Sequence, residues 1–469
     1  LSTLADKKVE IFFDSGTILL DGDANFLKPV LGLIKFDSRV KKYRARACDY
    51  AKIVLKLYGA GIPFEDKAKS FAPVDFNLNS DFQPLPHQQE ALDAWVKIKG
   101  RGLVVMPTGS GKSYFAVMVM NKIKRPTLIV VPTIDLMQQW ASQLESFFGM
   151  QVGMLGGGSK EIREVTVSTY DSAVLQMEFI GDRFGLIIFD ECHHLPGPVN
   201  KLAATMSLAP YRLGLTATPE REDDGEEMLA DLIGPLAYRI HIDELEGNIL
   251  ADYRTVRLNI KLDPDEQAEY DASRKIYTNF LRTHGITFRQ KNDWSQFIIR
   301  CAKAPNGRKV LEAYLSQKRI ARRGRSKFKR IWDLLNDHAG ERIIIFTADN
   351  ETAYDIGKSF FLPVITHRTK IQERKDFLDS FRQGVYPVLV TSKVLNEGVD
   401  VPEASVGIVV SGSGSIREHV QRLGRILRGR QGKEAVLYEL VSEGTSEENV
   451  SRRRREHRAY SRYGNWRKK

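Results

Sequence analysis

Met106-Pro107-Thr108-Gly109-Ser110-Gly111-Lys112-Ser113 is the stretch on which the fold of this chain turns. It lies between an apolar run, Leu103 to Met106, and a helical stretch, Tyr114 to Ile123. A glycine-rich turn in that position presents backbone N–H groups at a helix N-terminus, which favours phosphate. Thr108, Gly109, Ser110 and Gly111 shape the cradle, Lys112 is placed to reach the β- and γ-phosphates of ATP, and Ser113 to hold Mg²⁺. Met106 stands where the general pattern has its first glycine. The competing reading is a glycine-rich turn of no function, and the strand before and helix after argue against it.

Outward from the cradle, short apolar runs alternate with helical stretches. Thr127 to Val131, Val165 to Ser168, Leu186 to Phe189 and Arg212 to Leu215 join Leu103 to Met106 as expected strands. Runs so continuously apolar suit strands buried on both faces of a parallel sheet, and the alternation is that of an α/β fold. A second series follows late in the chain: Arg342 to Phe346, Pro387 to Thr391, Val406 to Val410 and Ala435 to Tyr438. The expectation is two α/β lobes, residues 76–240 and 331–469. A small α+β domain over 1–75 precedes them, with strands Val9 to Phe13 and Thr17 to Leu20 and a helix from Arg46 to Tyr58. Residues 241–330 read as a linker and a helical insertion with a basic run: Lys318, Arg319, Arg322, Arg323, Arg325, Lys327, Lys329 and Arg330. The segment from Arg452 onward is also basic, with Tyr460, Tyr463 and Trp466 interleaved.

A chain of 469 residues with a net charge of +11 favours a polyanionic partner. No apolar run is long enough to span a bilayer, and no secretory signal is evident. Cys48, Cys192 and Cys301 are widely separated and odd in number, so a reducing intracellular compartment is expected. That compartment would be the cytoplasm of a prokaryote or a eukaryotic nucleus.

Two further tracts carry chemistry. Asp190-Glu191-Cys192-His193-His194 follows the run Leu186 to Phe189 directly, which places its carboxylates beside the cradle. Asp190 then holds Mg²⁺, and Glu191 orients and deprotonates the attacking water. A zinc site on Cys192, His193 and His194 is disfavoured, because adjacent residues rarely converge on one ion; the histidines better link the nucleotide site to neighbouring loops. Gln421-Arg422-Leu423-Gly424-Arg425-Ile426-Leu427-Arg428 offers arginines of which Arg425 and Arg428, three apart on a helix, can face one ligand. Developing charge on a transferred phosphoryl group needs such cations. Asp21-Gly22-Asp23-Ala24-Asn25 opens like a calcium loop but lacks the required glycine and glutamate, Phe26 and Gly32 standing in their places, so it reads as a turn. Gly156-Gly157-Gly158 is either a hinge or a loop approaching a nucleic-acid backbone, with Lys160 and Arg163 nearby.

From about residue 82 onward these residues resemble superfamily 2 helicases. Leu85-Pro86-His87-Gln88 is similar to that family's adenine-reading segment, with Gln88 as the hydrogen-bonding residue. Val131 to Leu136 and Ser168-Thr169-Tyr170 match its backbone-tracking motifs, which assigns Thr133 and Thr169 to DNA. Leu215-Thr216-Ala217-Thr218-Pro219 matches the motif coupling hydrolysis to nucleic acid, through Thr216 and Thr218. Ile345-Phe346-Thr347, Asn396-Glu397-Gly398-Val399-Asp400 and Gln421 to Arg428 then follow in the family's order. The resemblance assigns Gly398 and Asp400 to the nucleotide, and Gln421 and Arg422 to coupling. It also implies two RecA-like lobes that share one ATP, so that hydrolysis lets them part.

Arg221-Glu222-Asp223, the Asp-Glu-Cys-His-His tract and the basic insertion together narrow the resemblance to the XPB type. It implies a 3′-to-5′ DNA helicase or translocase that opens duplexes in excision repair and possible transcription roles. The triplet would be tied to strand opening, the insertion thumb-like, and the N-terminal domain linked to damage recognition. Lys318, Arg319, Arg322, Arg323 and Arg325 become expected DNA contacts. Single-strand/duplex junctions, a repair nuclease or a transcription and repair assembly become expected partners of a monomer. The alternatives are a restriction-type duplex translocase or an RNA helicase on the same lobes, or a non-catalytic, ATP-responsive DNA-binding scaffold.

Overall fold

The structure is a computed structural model that describes residues 8–78, 83–217, 225–245, 253–288, 293–392, 404–411 and 435–455. The chain divides into two compact units, one over Leu1–Leu245 and the other over Glu246–Glu397 with Val401–Lys469.

The first unit begins with a five-stranded sheet in the order Ile34–Asp37, Lys42–Arg46, Thr17–Asp21, Val9–Asp14 and Phe64–Asp66. Val9–Asp14 and Thr17–Asp21 form a hairpin closed by Ser15 and Gly16, both at positive φ (47° and 78°), the backbone that a two-residue hairpin loop requires. Arg46, expected to open a helix, is extended; a short 3₁₀ turn over Ala47–Asp49 intervenes, and the helix runs Tyr50–Gly59. Its Ile53 and Leu57 are buried with Val9, Ile11 and Leu20. Leu208 belongs to that same core, Ser70 N–H donates to Asp182 O at 3.0 Å, and Arg46 pairs with Asp231 at 2.9 Å. The small sheet is therefore packed onto the α/β body that follows it.

That body is an eight-stranded sheet ordered Leu236–Arg239, Arg101–Val105, Tyr211–Thr216, Leu186–Phe189, Thr127–Val131, Val165–Thr169, Gly153–Gly156 and Ser159–Lys160. The ladders are parallel except the last, where Ser159–Lys160 runs antiparallel to Gly153–Gly156. The five strands expected from apolar runs are its five central ones. Gly156, Gly157 and Gly158, at φ 143°, 59° and 94°, turn the edge hairpin, so the glycine triplet is part of a small paired element.

The second unit carries a six-stranded parallel sheet ordered Tyr253–Ile260, Ala435–Ser442, Val406–Val409, Ile343–Phe346, Val388–Thr391 and Val364–Ile365. Tyr253–Ile260, inside the stretch read as linker and insertion, pairs along its whole length with Ala435–Ser442. Its arginines and threonine conceal an edge strand from an apolar-run criterion. Helices Pro264–Thr283, Asp293–Lys303 and Gly307–Arg323 follow, with Phe280, Phe297, Cys301 and Val310 in a core of their own. The next helix, Arg325–Asp337, instead contributes Ile331 and Leu334 to the core of the six-stranded sheet. Among the described residues, no helix is long and apolar enough to cross a membrane.

Candidate functional site

The central strands of the eight-stranded sheet deliver the expected residues to one edge. Arg101–Val105 leads into the cradle, and the helix Lys112–Ile123 begins at its end. Gly109 and Gly111 adopt φ of 88° and 85°, where side chains beyond glycine are strained. A Cβ at Gly111 would also lie 2.3 Å from Gln88 Nε2. Ser110 is fully buried, with its hydroxyl donating to Pro107 O at 2.8 Å. Thr108 Oγ1 is shielded from solvent without a hydrogen-bond partner. A polar atom so placed costs free energy until an acceptor or donor reaches it, and this orphan in a glycine-shaped loop fits a bound phosphate.

Gln88 is fully buried, and its amide braces the cradle. Nε2 donates to Ser110 O at 3.3 Å and to Gly111 O at 3.2 Å, while Oε1 accepts from Leu85 N–H at 2.9 Å. His87 Nε2 also meets Ser110 O, at 2.9 Å. The role expected of Gln88 was base reading; the geometry adds a loop-setting role that the sequence did not suggest, and His87 shares it.

Asp190 and Glu191 leave the strand Leu186–Phe189, whose neighbour Thr127–Val131 fixes them through Asp190 N–H to Val130 O at 2.9 Å. Asp190 Oδ2 accepts from Trp140 Nε1–H at 2.9 Å and Oδ1 from Glu191 N–H at 3.0 Å; Tyr170 OH donates to Asp190 O at 3.2 Å. Burial pushes the Asp190 carboxyl above the ordinary range, Lys112 opposes this, and Glu191 adds to it. Glu191 sits at φ 46°, an uncommon conformation for a non-glycine residue that turns its side chain toward the cradle: Oε1 lies 3.4 Å from Lys112 Nζ. Oε2 lies 3.4 Å from His193 Nδ1, which is itself 3.3 Å from Thr216 Oγ1. Cys192 is fully buried, and a Cβ on Gly214 of the adjoining strand would lie 3.1 Å from its sulfur. Thr216 is fully buried, and its carbonyl accepts from Met106 N–H at 3.0 Å.

Cradle, carboxylates and Thr216 thus form one polar cluster linked through Lys112, Glu191 and His193. Trp140 is its unforeseen member, an aromatic residue in helical surroundings that only the fold aims at Asp190; Tyr170, expected only as part of a backbone-tracking motif, joins it through the Asp190 carbonyl. Thr133 and Thr169 cap the helices Ile134–Phe148 and Tyr170–Ile180, their hydroxyls accepting from Leu136 N–H and Ser172 N–H. Thr133 lies two residues beyond the strand Thr127–Val131, and Thr169 is the last residue of the strand Val165–Thr169.

The basic run in the second unit, whose members are expected DNA contacts, is laced with ion pairs to neighbouring carboxylates. Arg319 lies 3.7 Å from Glu269, Arg322 3.2 Å from Asp349, and Arg323 3.2 Å from Glu351 and 2.9 Å from Asp355. Arg325 meets Asp265, Asp263 and Glu266, while Lys318 Nζ lies 4.3 Å over the Tyr314 ring. Ser113 is the second residue of the cradle's helix and is partly exposed. Thr218, Arg221, Glu222, Asp223, Gly398, Asp400, Gln421, Arg422, Arg425 and Arg428 lie outside the described residues.

Residues 11–68 match the family model of the Xeroderma pigmentosum group B helicase damage recognition domain, and residues 313–463 that of the ERCC3/RAD25/XPB C-terminal helicase. Residues 81–221 match the model described as type III restriction enzyme, res subunit. The chain is 40% identical over 423 residues to the DNA 3′-5′ translocase XPB2 of Sulfurisphaera tokodaii, covering 90% of this chain and 96% of that protein. It is 32% identical to the DNA 3′-5′ helicase XPB of Kineococcus radiotolerans, over 91% of this chain and 72% of that one. In fold it is similar to the Pyrococcus furiosus Hef helicase domain, with a TM-score of 0.55 at 19% identity, over 80% of this chain and 98% of that one. With family models matched on both sides of the cradle and such a relative spanned almost whole, this chain belongs to the XPB family of superfamily 2 DNA helicases.

Proposed function

We propose that this protein is an ATP-dependent DNA translocase that opens duplex DNA, moves 3′ to 5′ and serves nucleotide excision repair. The observation that carries the reading is the cluster in which Lys112 faces Glu191 at 3.4 Å and His193 stands between Glu191 and Thr216.

The cradle's N–H groups and Lys112 bind the nucleotide phosphates, with Thr108 Oγ1 offering its unmet hydrogen-bonding capacity. Mg²⁺, held by Ser113 and Asp190, would neutralise phosphate charge. Trp140 keeps the Asp190 carboxyl aimed. Glu191 orients the attacking water and takes its proton, and Lys112 balances the charge on Glu191 until phosphate enters. His193 relays the position of Glu191 to Thr216, in the segment assigned to coupling with DNA. Arg425 and Arg428 supply the arginine finger on the strength of the sequence motif, which also assigns Gly398 and Asp400 to the nucleotide. Thr133, Thr169 and Lys318 contact the DNA backbone, and Arg221-Glu222-Asp223 act in strand opening.

The testing experiment is strand displacement on forked DNA with tails of either polarity, with phosphate release followed in parallel. Opening from a 3′ tail, with DNA-stimulated ATP hydrolysis, is expected. The match of residues 81–221 to a restriction-type model favours a second reading, a translocase that moves along duplex without opening it. DNA-stimulated hydrolysis with no displacement on any fork would select that reading. Stimulation by RNA alone would sink both.

A further inference from the structure

Within the first unit, a pocket of about 790 Å³ lies where the small N-terminal sheet domain meets the α/β body. Its apolar walls are Val54 and Leu55 from the helix Tyr50–Gly59, Phe71 from the connecting segment, and Ile98 with Tyr211 from the body. Leu55 is 64% exposed, on the face of the helix opposite the buried Ile53 and Leu57. Around these walls stand Lys52, Lys69, Lys99, Arg101 and Arg125. Asp231 is the single carboxylate among the lining residues, and it is already engaged by Arg46 at 2.9 Å, with Lys52 at 3.8 Å.

Arg101 is the group that asks for a ligand. It opens the strand that leads to the cradle, is only partly exposed, and its Nη1 is shielded from solvent without a hydrogen-bond partner. Burial lowers its pKa, and Asp49 and Asp231 only partly counter this. A partly desolvated guanidinium with an unmet donor pairs strongly with an entering carboxylate, because most of the cost of stripping its water has been met on folding.

We infer that this pocket docks an acidic segment of a partner protein, seating a bulky apolar side chain against Leu55, Phe71 and Ile98 and pairing a flanking carboxylate with Arg101. Charge complementarity commits the occupant: Lys52 and Lys69 are already shared with Asp49 and Asp66, at 3.3 and 3.8 Å, but with Lys99, Arg101 and Arg125 they still leave a positive rim that selects an anion, and the apolar walls select one that carries hydrocarbon. A DNA backbone satisfies the first demand and leaves the second unmet. Because the pocket's walls come from both the sheet domain and the body, an occupant clamps the two together, at the base of the strand that feeds the nucleotide cradle.

The test uses the full chain and fluorescence anisotropy of a labelled synthetic peptide in which glutamates alternate with leucine and phenylalanine. A comparator peptide replaces the apolar residues with alanine at equal charge. The expected result is saturable binding that weakens about tenfold, equivalent to about 1.4 kcal/mol, for the comparator, for Leu55→Asp and for the double variant Lys69→Glu with Lys99→Glu. Arg101→Gln weakens it likewise. Leu55, Lys69 and Lys99 are exposed, so those variants keep their fold, checked by thermal melting, and keep DNA-stimulated hydrolysis. Equal affinity for the two peptides, or unchanged affinity in Leu55→Asp, overturns the proposal. So does a parallel loss of duplex DNA affinity in the lysine variant with DNA displacing the peptide, which would make this face a DNA surface.

Discussion

Two buried lysine–glutamate pairs, one in each unit, have the same chemistry and opposite meanings. Lys112 and Glu191 are each 12% exposed and 3.4 Å apart, in a loop whose glycines adopt positive φ. Lys327 is fully buried, lies 2.6 Å from Glu447 and also donates to Val410 O at 2.9 Å; Glu447 accepts in addition from Ser442 N–H at 3.1 Å. The second pair is saturated: it ties the helix Arg325–Asp337 to strand ends and the helix Glu447–Arg455. The first is looser, at 3.4 Å, and stands beside a threonine hydroxyl without a hydrogen-bond partner in a loop shaped for a phosphate. A buried ion pair signals function when the backbone around it is shaped for a third party.

The sharpest break in this comparison is Glu191→Gln. It keeps the shape of the side chain and removes the base, so DNA-stimulated phosphate release should fall by about 10²–10⁴-fold. Binding of a fluorescent nucleotide should persist, since the cradle is untouched. Persisting turnover would remove Glu191 from the chemistry and leave its pair with Lys112 as structural as that of Lys327.

Lys327→Met should act on stability instead. Stranding Glu447 as an uncompensated buried charge costs about 3–5 kcal/mol, read by urea unfolding, while pairing the change with Glu447→Leu should recover much of the loss. Hydrolysis per folded molecule should be unchanged. Lost turnover in the fully folded double variant would mean this pair, too, serves the reaction.

The same contrast explains what the sequence made legible. The cradle, Asp190 and Glu191 could be read because their chemistry requires set residue types at set spacings after strands, and the five central strands are apolar on both faces. Tyr253–Ile260 could not, because an edge strand bearing Arg254 and Arg257 has no apolar run. Trp140 could not, because its contact with Asp190 spans 50 residues and follows from sheet order alone. The ion pairs of the basic run were hidden for a related reason. Charge composition reports how many cations a segment has, and only tertiary structure reports which carboxylates, such as Asp349 and Asp355 on other elements, already hold them.

Within that run, Lys318 and Arg323 can be set against each other. Lys318 lies over an aromatic ring, while Arg323 is 19% exposed between Glu351 and Asp355. If Lys318 meets a DNA phosphate, Lys318→Ala should weaken binding uniformly across sequences and reduce the slope of log affinity against log salt by about 1. Arg323→Ala should leave that slope alone and cost about 1 kcal/mol or less of stability. Reversed outcomes would return Arg323 to the DNA surface and make Lys318 a packing residue.

The smallest expected effect concerns the joint between the small sheet domain and the α/β body. Arg46 holds the Asp231 carboxyl below its ordinary range, chiefly by direct hydrogen bonds, against the opposing effect of burial. A depressed carboxyl contributes stability that is fully present above the unfolded value of about 3.9 and is lost as pH falls through the lower folded value. Both side chains are nearly half exposed, so the contribution is about 0–1 kcal/mol and shrinks with salt. Asp231→Asn should therefore lower stability slightly at neutral pH, with the two unfolding curves converging in acid. Because Asp49 also bonds Arg46, at 2.8 Å, the arginine is not stranded when Asp231 is neutralised. A difference between variant and parent that persisted below the folded value, or grew with salt, would mean that packing of the two domains, and not this ion pair, makes the joint.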